Sequence, residues 1–276
     1  MFHRLGLGFA GLLLLFSLLA LTVNAESTES IDQGFHQMYN LNFSGAHKTF
    51  EAWEKLHADD PLGPASNAAA YLFAEFDRLH ILEFDVFTEN QKLQDFEKML
   101  DPAVKLAFES ELAKADTIAN AILDKSSDNC NALFARMLSD GLRADYAGLL
   151  EKRKVAALEL LKSSRSSAEK LIALDPAYND AYLAVGLENY VLGLRSAPSR
   201  LVLRLTGAQT NKEKGIENLK ITAEKGHYLA PYARLLLAIA YLRDQDRTTA
   251  KRLLADLVRD FPQNRRYQSE LARLRS

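Results

Sequence analysis

The 276-residue sequence predicts an all-α fold, a right-handed superhelical stack of antiparallel helix pairs. Three observations lead there. Apolar residues recur at three- and four-residue spacings along nearly the whole chain, and β-branched runs are almost absent. Turn formers and prolines punctuate that periodicity. From Pro231 to Asn264, small and large residues fall where two crossing helices need them. Leu237 stands beside Ala238, Tyr241 follows, then Ala250, Leu254 and Leu257, and Pro262 ends the run. A small residue lets two helices approach, and large ones fill the gaps on either side.

The first helical pair is expected from about Ser30 to His57. Asn42-Phe43-Ser44-Gly45 reads as its turn, and Asp59-Asp60-Pro61-Leu62-Gly63-Pro64 as its stop. A third helix runs from Ala65 to about Leu82, and Glu83 to Leu100 breaks the pattern. Pro102 opens a long helix to about Lys125. After a turn at Ser126-Ser127-Asp128-Asn129, helices are expected over Asn131 to Leu142 and Glu151 to Ala173, the latter closing at Leu174-Asp175-Pro176. Asn179 to about Leu194 and Lys212 to Lys225 form the next pair, which Gly226 ends as a C′ glycine.

Between those two helices lies an insertion, Ser196 to Asn211. Pro176 and Pro262 occupy equivalent positions, and their separation exceeds two periods of roughly 34 residues by about 18. Arg200 and Arg204 are four apart, with Leu201 and Leu205 beside them, so a short amphipathic helix is expected. Its leucines should fold onto the inner wall near Leu187 and Tyr190 as a built-in plug, with the arginines in solvent.

Pro231 to Asn264 resembles one complete tetratricopeptide repeat, and the similarity extends back to Asp175. Gly34, Ala46 and Phe50 give a weaker match in the first pair. The family is a binding scaffold, and the resemblance implies an inner, concave wall built by the first helix of each repeat. In the first repeat that wall is Thr28, Ile31, Phe35, Met38 and Tyr39. In the repeat anchored at Pro176 it is Asp180, Leu183, Leu187, Tyr190 and Val191. In the last it is Tyr232, Leu235, Ile239, Leu242 and Arg243. The wall lacks the Lys/Arg/Asn set with which such grooves clamp a peptide's terminal carboxylate. Two readings stay open. Either the chain's own extra segments cover the wall, or it forms a groove for an apolar helix, peptide or lipid-like ligand.

The beginning of the chain has a different character. His3 and Arg4 precede an almost wholly apolar run from Leu5 to Thr22, and Val23-Asn24-Ala25 ends in small residues. This is the layout of a secretory signal peptide cleaved after Ala25, with export to a periplasmic compartment. A retained membrane anchor is the alternative. The expected organisation is a leader over 1–25, N-terminal helical pairs over 26–125 with an irregular acidic insertion near 83–100, and C-terminal repeats over 126–276 with the insertion near 196–211. No stable membrane span is expected after cleavage.

Apolar residues make up 48% and charged residues 25%, the balance of a folded chain, and the net charge of −2 gives no prior for nucleic acid. The charge is uneven. Residues 51–101 carry twelve acids against four bases, and residues 227–276 ten bases against five acids. Such asymmetry reads as solvated helix faces or as a dipolar body that steers a charged partner. Cys130 is the single cysteine, so no intrachain disulfide forms, and its place beside Asn129 and Asn131 is that of a helix start.

No phosphate loop, dinucleotide glycine triplet, HExxH or GxSxG occurs. Asp77 and His80 could share a helix face among Glu75, Glu83 and Asp85, but Phe76, Leu79, Ile81 and Leu82 read as packing. The acids are therefore taken as ion-paired or solvated rather than metal-binding. Trp53 reads as core, and His227 as surface. The expectation is a non-catalytic exported scaffold or adaptor that binds a protein or peptide in envelope assembly or transport, without cofactor or metal. The alternative is a small-molecule or lipid-binding protein using the apolar wall. A wide apolar pocket would favour the ligand, and a filled wall would favour docking at the surface.

Overall fold

The computed structural model describes residues 30–81 and 99–274. The expected leader and nearly all of the acidic insertion near 83–100 lie outside the described residues. Twelve α-helices and no strand occur among the described residues. Most helices begin on a polar cap that satisfies first-turn N–H groups. Ser30 caps α1 (Ile31–Tyr39) by accepting from the Gln33 amide, and Asn42 caps α2 (Phe43–Leu56) through Gly45. The expected turn at 42–45 is therefore the first turn of α2. The reversal falls at residues 40–42, where Leu41 takes a φ of 62°. Likewise α3 (Leu62–Arg78) starts inside the stretch read as a stop. Pro64 is tolerated there because first-turn residues need no intrahelical N–H bond.

Asp101 caps α4 (Pro102–Leu123), and Asn129 caps α5 (Cys130–Asp145). The latter runs on through a π-helical turn, Tyr146–Leu150, well past the expected end at Leu142. Next come α6 (Lys154–Leu174), a 3-10 turn at Asn179–Ala181 and α7 (Tyr182–Gly193). The insertion forms α8 (Ala197–Leu205), and α9 spans Lys212–Lys225. The chain closes with α10 (Ala230–Arg243), α11 (Arg247–Asp260) and α12 (Arg265–Arg273), the last of which was not anticipated.

Each helix packs chiefly on its sequence neighbour, while α7 skips the insertion to pack on α9. Small residues set these approaches. A Cβ on Gly34 would collide with the Phe50 ring, joining α1 to α2. A Cβ on Gly215 would sit 2.5 Å from the Tyr190 amide nitrogen, joining α9 to α7. Ala250 is wholly buried, as its register in the last pair requires. Gly226 departs from expectation. Its φ of −63° and ψ of 147° are extended, not left-handed. What excludes a side chain there is proximity, because a Cβ would lie 2.6 Å from Asp180 Oδ1. Asp180 in turn accepts the amides of His227, Tyr228 and Leu229 at 3.0–3.1 Å, fixing the entry to α10.

The two ends of the described chain meet. Asn264 Nδ2 donates to the Tyr39 carbonyl at 2.7 Å, and the Gln263 amide to Asn40 Oδ1 at 3.1 Å. The Tyr39 hydroxyl donates to the Tyr228 carbonyl at 3.1 Å. Arg265 and Arg266 both reach Asp77 at the end of α3, the latter at 2.6 Å with only 18% of its side chain exposed.

Candidate functional site

Of the fifteen residues that the sequence places on the wall, Thr28 lies outside the described residues, and the structure brings most of the others into the interior. Ile31, Phe35, Met38 and Tyr39 of α1 are buried, as are Leu183 and Tyr190 of α7 and Tyr232, Leu235 and Ile239 of α10. Leu187 is half-buried, and Arg243 is exposed at the end of α10. Aromatic rings fill the space that a groove would need. Phe35 lies 4.9 Å from Tyr228, Tyr39 5.4 Å from Phe261, and Phe73 5.3 Å from Tyr232, centroid to centroid. These rings come from both ends of the chain, so the closure described above is also what fills the wall.

One narrow cavity of about 40 Å³ remains, bordered by Phe35, Phe73, Leu138, Leu187 and Tyr232. That is room for roughly three waters, against roughly 300–1,000 Å³ for a drug-sized site. Its lining is apolar except for Ser164 and Asp145. Ser164 donates to the Met137 carbonyl at 2.7 Å. Asp145 ends α5, where the π-helical turn begins, and its Oδ2 accepts from the Tyr232 hydroxyl at 2.9 Å. Its residual surface lines the cavity while protein encloses its carboxyl, and burial pushes its pKa up to about 7. The Tyr232 hydrogen bond opposes that shift without cancelling it. Sequence reasoning missed Asp145, because a lone acid at a helix end carries no signal until the fold encloses it.

The expected plug does not form. Leu201 and Leu205 are 62% and 82% exposed, and no residue of α8 is buried. The helix is turned the other way. Arg200 Nη1 donates to the Arg195 carbonyl at 2.9 Å, and Arg204 Nε to Thr210 Oγ1 at 2.7 Å. The physical reason is that the inner wall is already closed by its own rings and offers the leucines no vacancy.

Glu83 and Asp85 lie outside the described residues, and the other residues singled out in the sequence are placed as follows. Asp77 is held by Arg265 and Arg266, and His80 Nδ1 lies 2.8 Å from Arg266 Nη1. No group of residues among those described could hold a metal ion. Cys130 is the first residue of α5. Trp53 is half-buried, stacked on His57 at 3.8 Å and bonded to Asp60 at 2.8 Å. His227 meets Asp32 at the surface. An open cleft of about 530 Å³ between α2 and α4 carries Glu54 and Lys114. Burial, then Glu111, push the Glu54 carboxyl above its usual range.

No model of a known protein family matches the chain, and no curated protein does either.

Proposed function

We propose that the chain is an exported, non-catalytic scaffold of tetratricopeptide type, its helix pairs stacked as a right-handed solenoid, that holds protein partners on its outer faces in envelope assembly or transport. The observation that supports this reading best is the filled wall. Rings drawn from α1, α3 and the last repeat occupy the inner side and leave about 40 Å³. An apolar ligand of ordinary size would have to separate the two chain ends before entering. A rigid body with its interior closed is suited to presenting its exterior. No helix among the described residues is long and apolar enough to cross a membrane.

The test is cross-linking in the exported fraction, followed by purification under denaturing conditions and peptide mapping. The expected result is a partner protein joined through outer lysines such as Lys48 and Lys220, both exposed. Recovery of one small molecule or lipid per chain, retained through a high-salt wash and released only on unfolding, would overturn the scaffold in favour of the ligand reading.

A further inference from the structure

The insertion helix α8 is the one described helix with no buried residue. Leu201, Val202 and Leu205 stand 62%, 62% and 82% exposed on consecutive turns, with Leu194 at the rim, 36% exposed. Leu201, Val202 and Leu205 are one to four residues apart on the helix and form its exposed aliphatic ridge. A convex apolar ridge inserts into something deformable more readily than it lines a pocket.

The ridge is held firmly rather than tethered loosely. Beyond α8, the Gln209 amide donates to the buried Glu188 at 3.1 Å, and the Asn211 amide to Asn189 at 3.1 Å. Arg165 ties Glu188 at 2.5 Å and also donates to the Gly207 carbonyl. Lys162 reaches Thr206. On the entry side, Arg200 bonds the Arg195 carbonyl. These bonds fix the segments on both flanks of α8, while Leu201, Val202 and Leu205 stay in solvent.

The ridge's own segment carries one sign of charge. Between Glu188 and Glu213 the chain holds Arg195, Arg200, Arg204 and Lys212 and no acid. Lys212 is taken up by Asp244 at 2.6 Å, which leaves the three arginines beside the ridge. Exposed aliphatic residues with arginines on the same short segment are the composition of a helix that lies in the interface of an anionic bilayer, its leucines at the acyl boundary and its arginines among phosphates. An acidic protein groove could satisfy the charge, but it would also need a matching trough for the ridge. A bilayer conforms to the ridge.

We propose that α8 docks the protein peripherally on an anionic phospholipid surface through Leu201, Val202 and Leu205, with Arg195 and its neighbours contacting headgroup phosphates. This does not depend on the protein partner inferred above, since the ridge and the remaining outer faces are separate surfaces.

The test is co-sedimentation of the purified full chain with vesicles, either wholly phosphatidylcholine or with a third of phosphatidylglycerol. Wild type is compared with a Leu201→Ser, Leu205→Ser double variant and with Arg195→Gln, each carrying the same N-terminus, so that any contribution of the first residues is common to all. Because these positions are exposed, the variants should melt like wild type, and matched melting curves check this. The expected results are binding to the anionic vesicles well above the neutral ones, and a loss of at least tenfold in the double variant. Arg195→Gln should bind about fivefold more weakly, the effect of one cation near an anionic surface, and the difference should shrink as salt rises. Failure of wild type to bind anionic vesicles, or equal binding by wild type and the double variant, overturns the proposal. So does capture of an acidic protein that is lost in the double variant while vesicle binding is retained. A scaffold partner recovered by cross-linking stands or falls independently of these outcomes.

Discussion

Replacing Asp145 with asparagine isolates an interior carboxyl whose charge state changes near neutral pH. In the folded chain burial holds its pKa at about 7 against an ordinary 3.8, and the Tyr232 hydrogen bond only moderates this. The folded state therefore keeps a proton that the unfolded chain has already released. For a raised carboxyl the resulting stability is complete below about pH 4, declines as pH rises and is gone above about pH 7. From the two pKa values, the decline between pH 5 and pH 8 amounts to roughly 2–3 kcal/mol. Asparagine accepts the Tyr232 hydroxyl in the same way but never ionises. Its amide N–H groups meet a largely apolar lining, which costs roughly 1–3 kcal/mol at every pH. Asp145→Asn should thus be clearly less stable than wild type at pH 5 and close to it, or above it, at pH 8. Urea denaturation at four pH values from 5 to 8 measures this as the difference between the two proteins. Asp180, Asp140 and Glu54, whose carboxyls burial also raises, contribute to both curves and cancel. If the two stability curves run parallel across that range, Asp145 is not titrating in the interior and the account of the cavity is wrong.

Three further outcomes are expected. Ala250→Leu should lose roughly 1–3 kcal/mol by overpacking the fully buried contact of α11, and a thermal melt matching wild type would show that the residue does not sit at a close crossing. Arg266→Gln removes one ion pair of Asp77 that is little exposed on either side, and should cost on the order of 1–2 kcal/mol with faster hydrogen exchange in α1 and α12, because the buried acid keeps only the exposed Arg265 as its partner; unchanged exchange in both helices would separate the pair from the closure. Mass spectrometry of the native protein should find Glu26 as the first residue, and an intact Met1 on a membrane-embedded protein would contradict cleavage after Ala25.

Helix identity and pairing were legible because they depend on local pattern. Lys212–Lys225 falls where the sequence put it, and the insertion between α7 and α9 followed from the spacing of Pro176 and Pro262. Boundaries were less legible where two signals compete. Asn42 was read with its neighbours as a turn, yet its side chain starts a helix, since an Asn that favours turns also favours caps. Gly226 was read from its residue type as left-handed, whereas the position is set by an acid 46 residues earlier, Asp180. The candidate wall was legible as apolar and not as closed. Whether an apolar face is groove or core depends on what lies opposite, and here that is Tyr228 and Phe261 reaching Phe35 and Tyr39 from the other end of the chain. The enclosure of Asp145 depends on the same packing, since Tyr232 bonds it from the later part of the chain.

The uneven charge takes on a different meaning in the folded chain. As sequence, the acidic stretch over 51–101 and the basic stretch over 227–276 describe a dipolar body. In the fold, some of those charges neutralise each other: Asp77 at the end of α3 receives Arg265 and Arg266 at the start of α12, and His80 lies against the same guanidinium. Charges consumed in this way cannot steer a partner. They do something else, holding the last helix against the third so that the rings of the two ends stay together and the wall stays filled. The proposed recognition surface is therefore the exterior rather than the filled wall, including the arginines of the α8 segment, which has no acid of its own. That is the physical argument behind proposing the outer faces as the binding surface, and Asp77–Arg266 is one of the contacts, with Asn264–Tyr39 and Gln263–Asn40, that keep the wall filled.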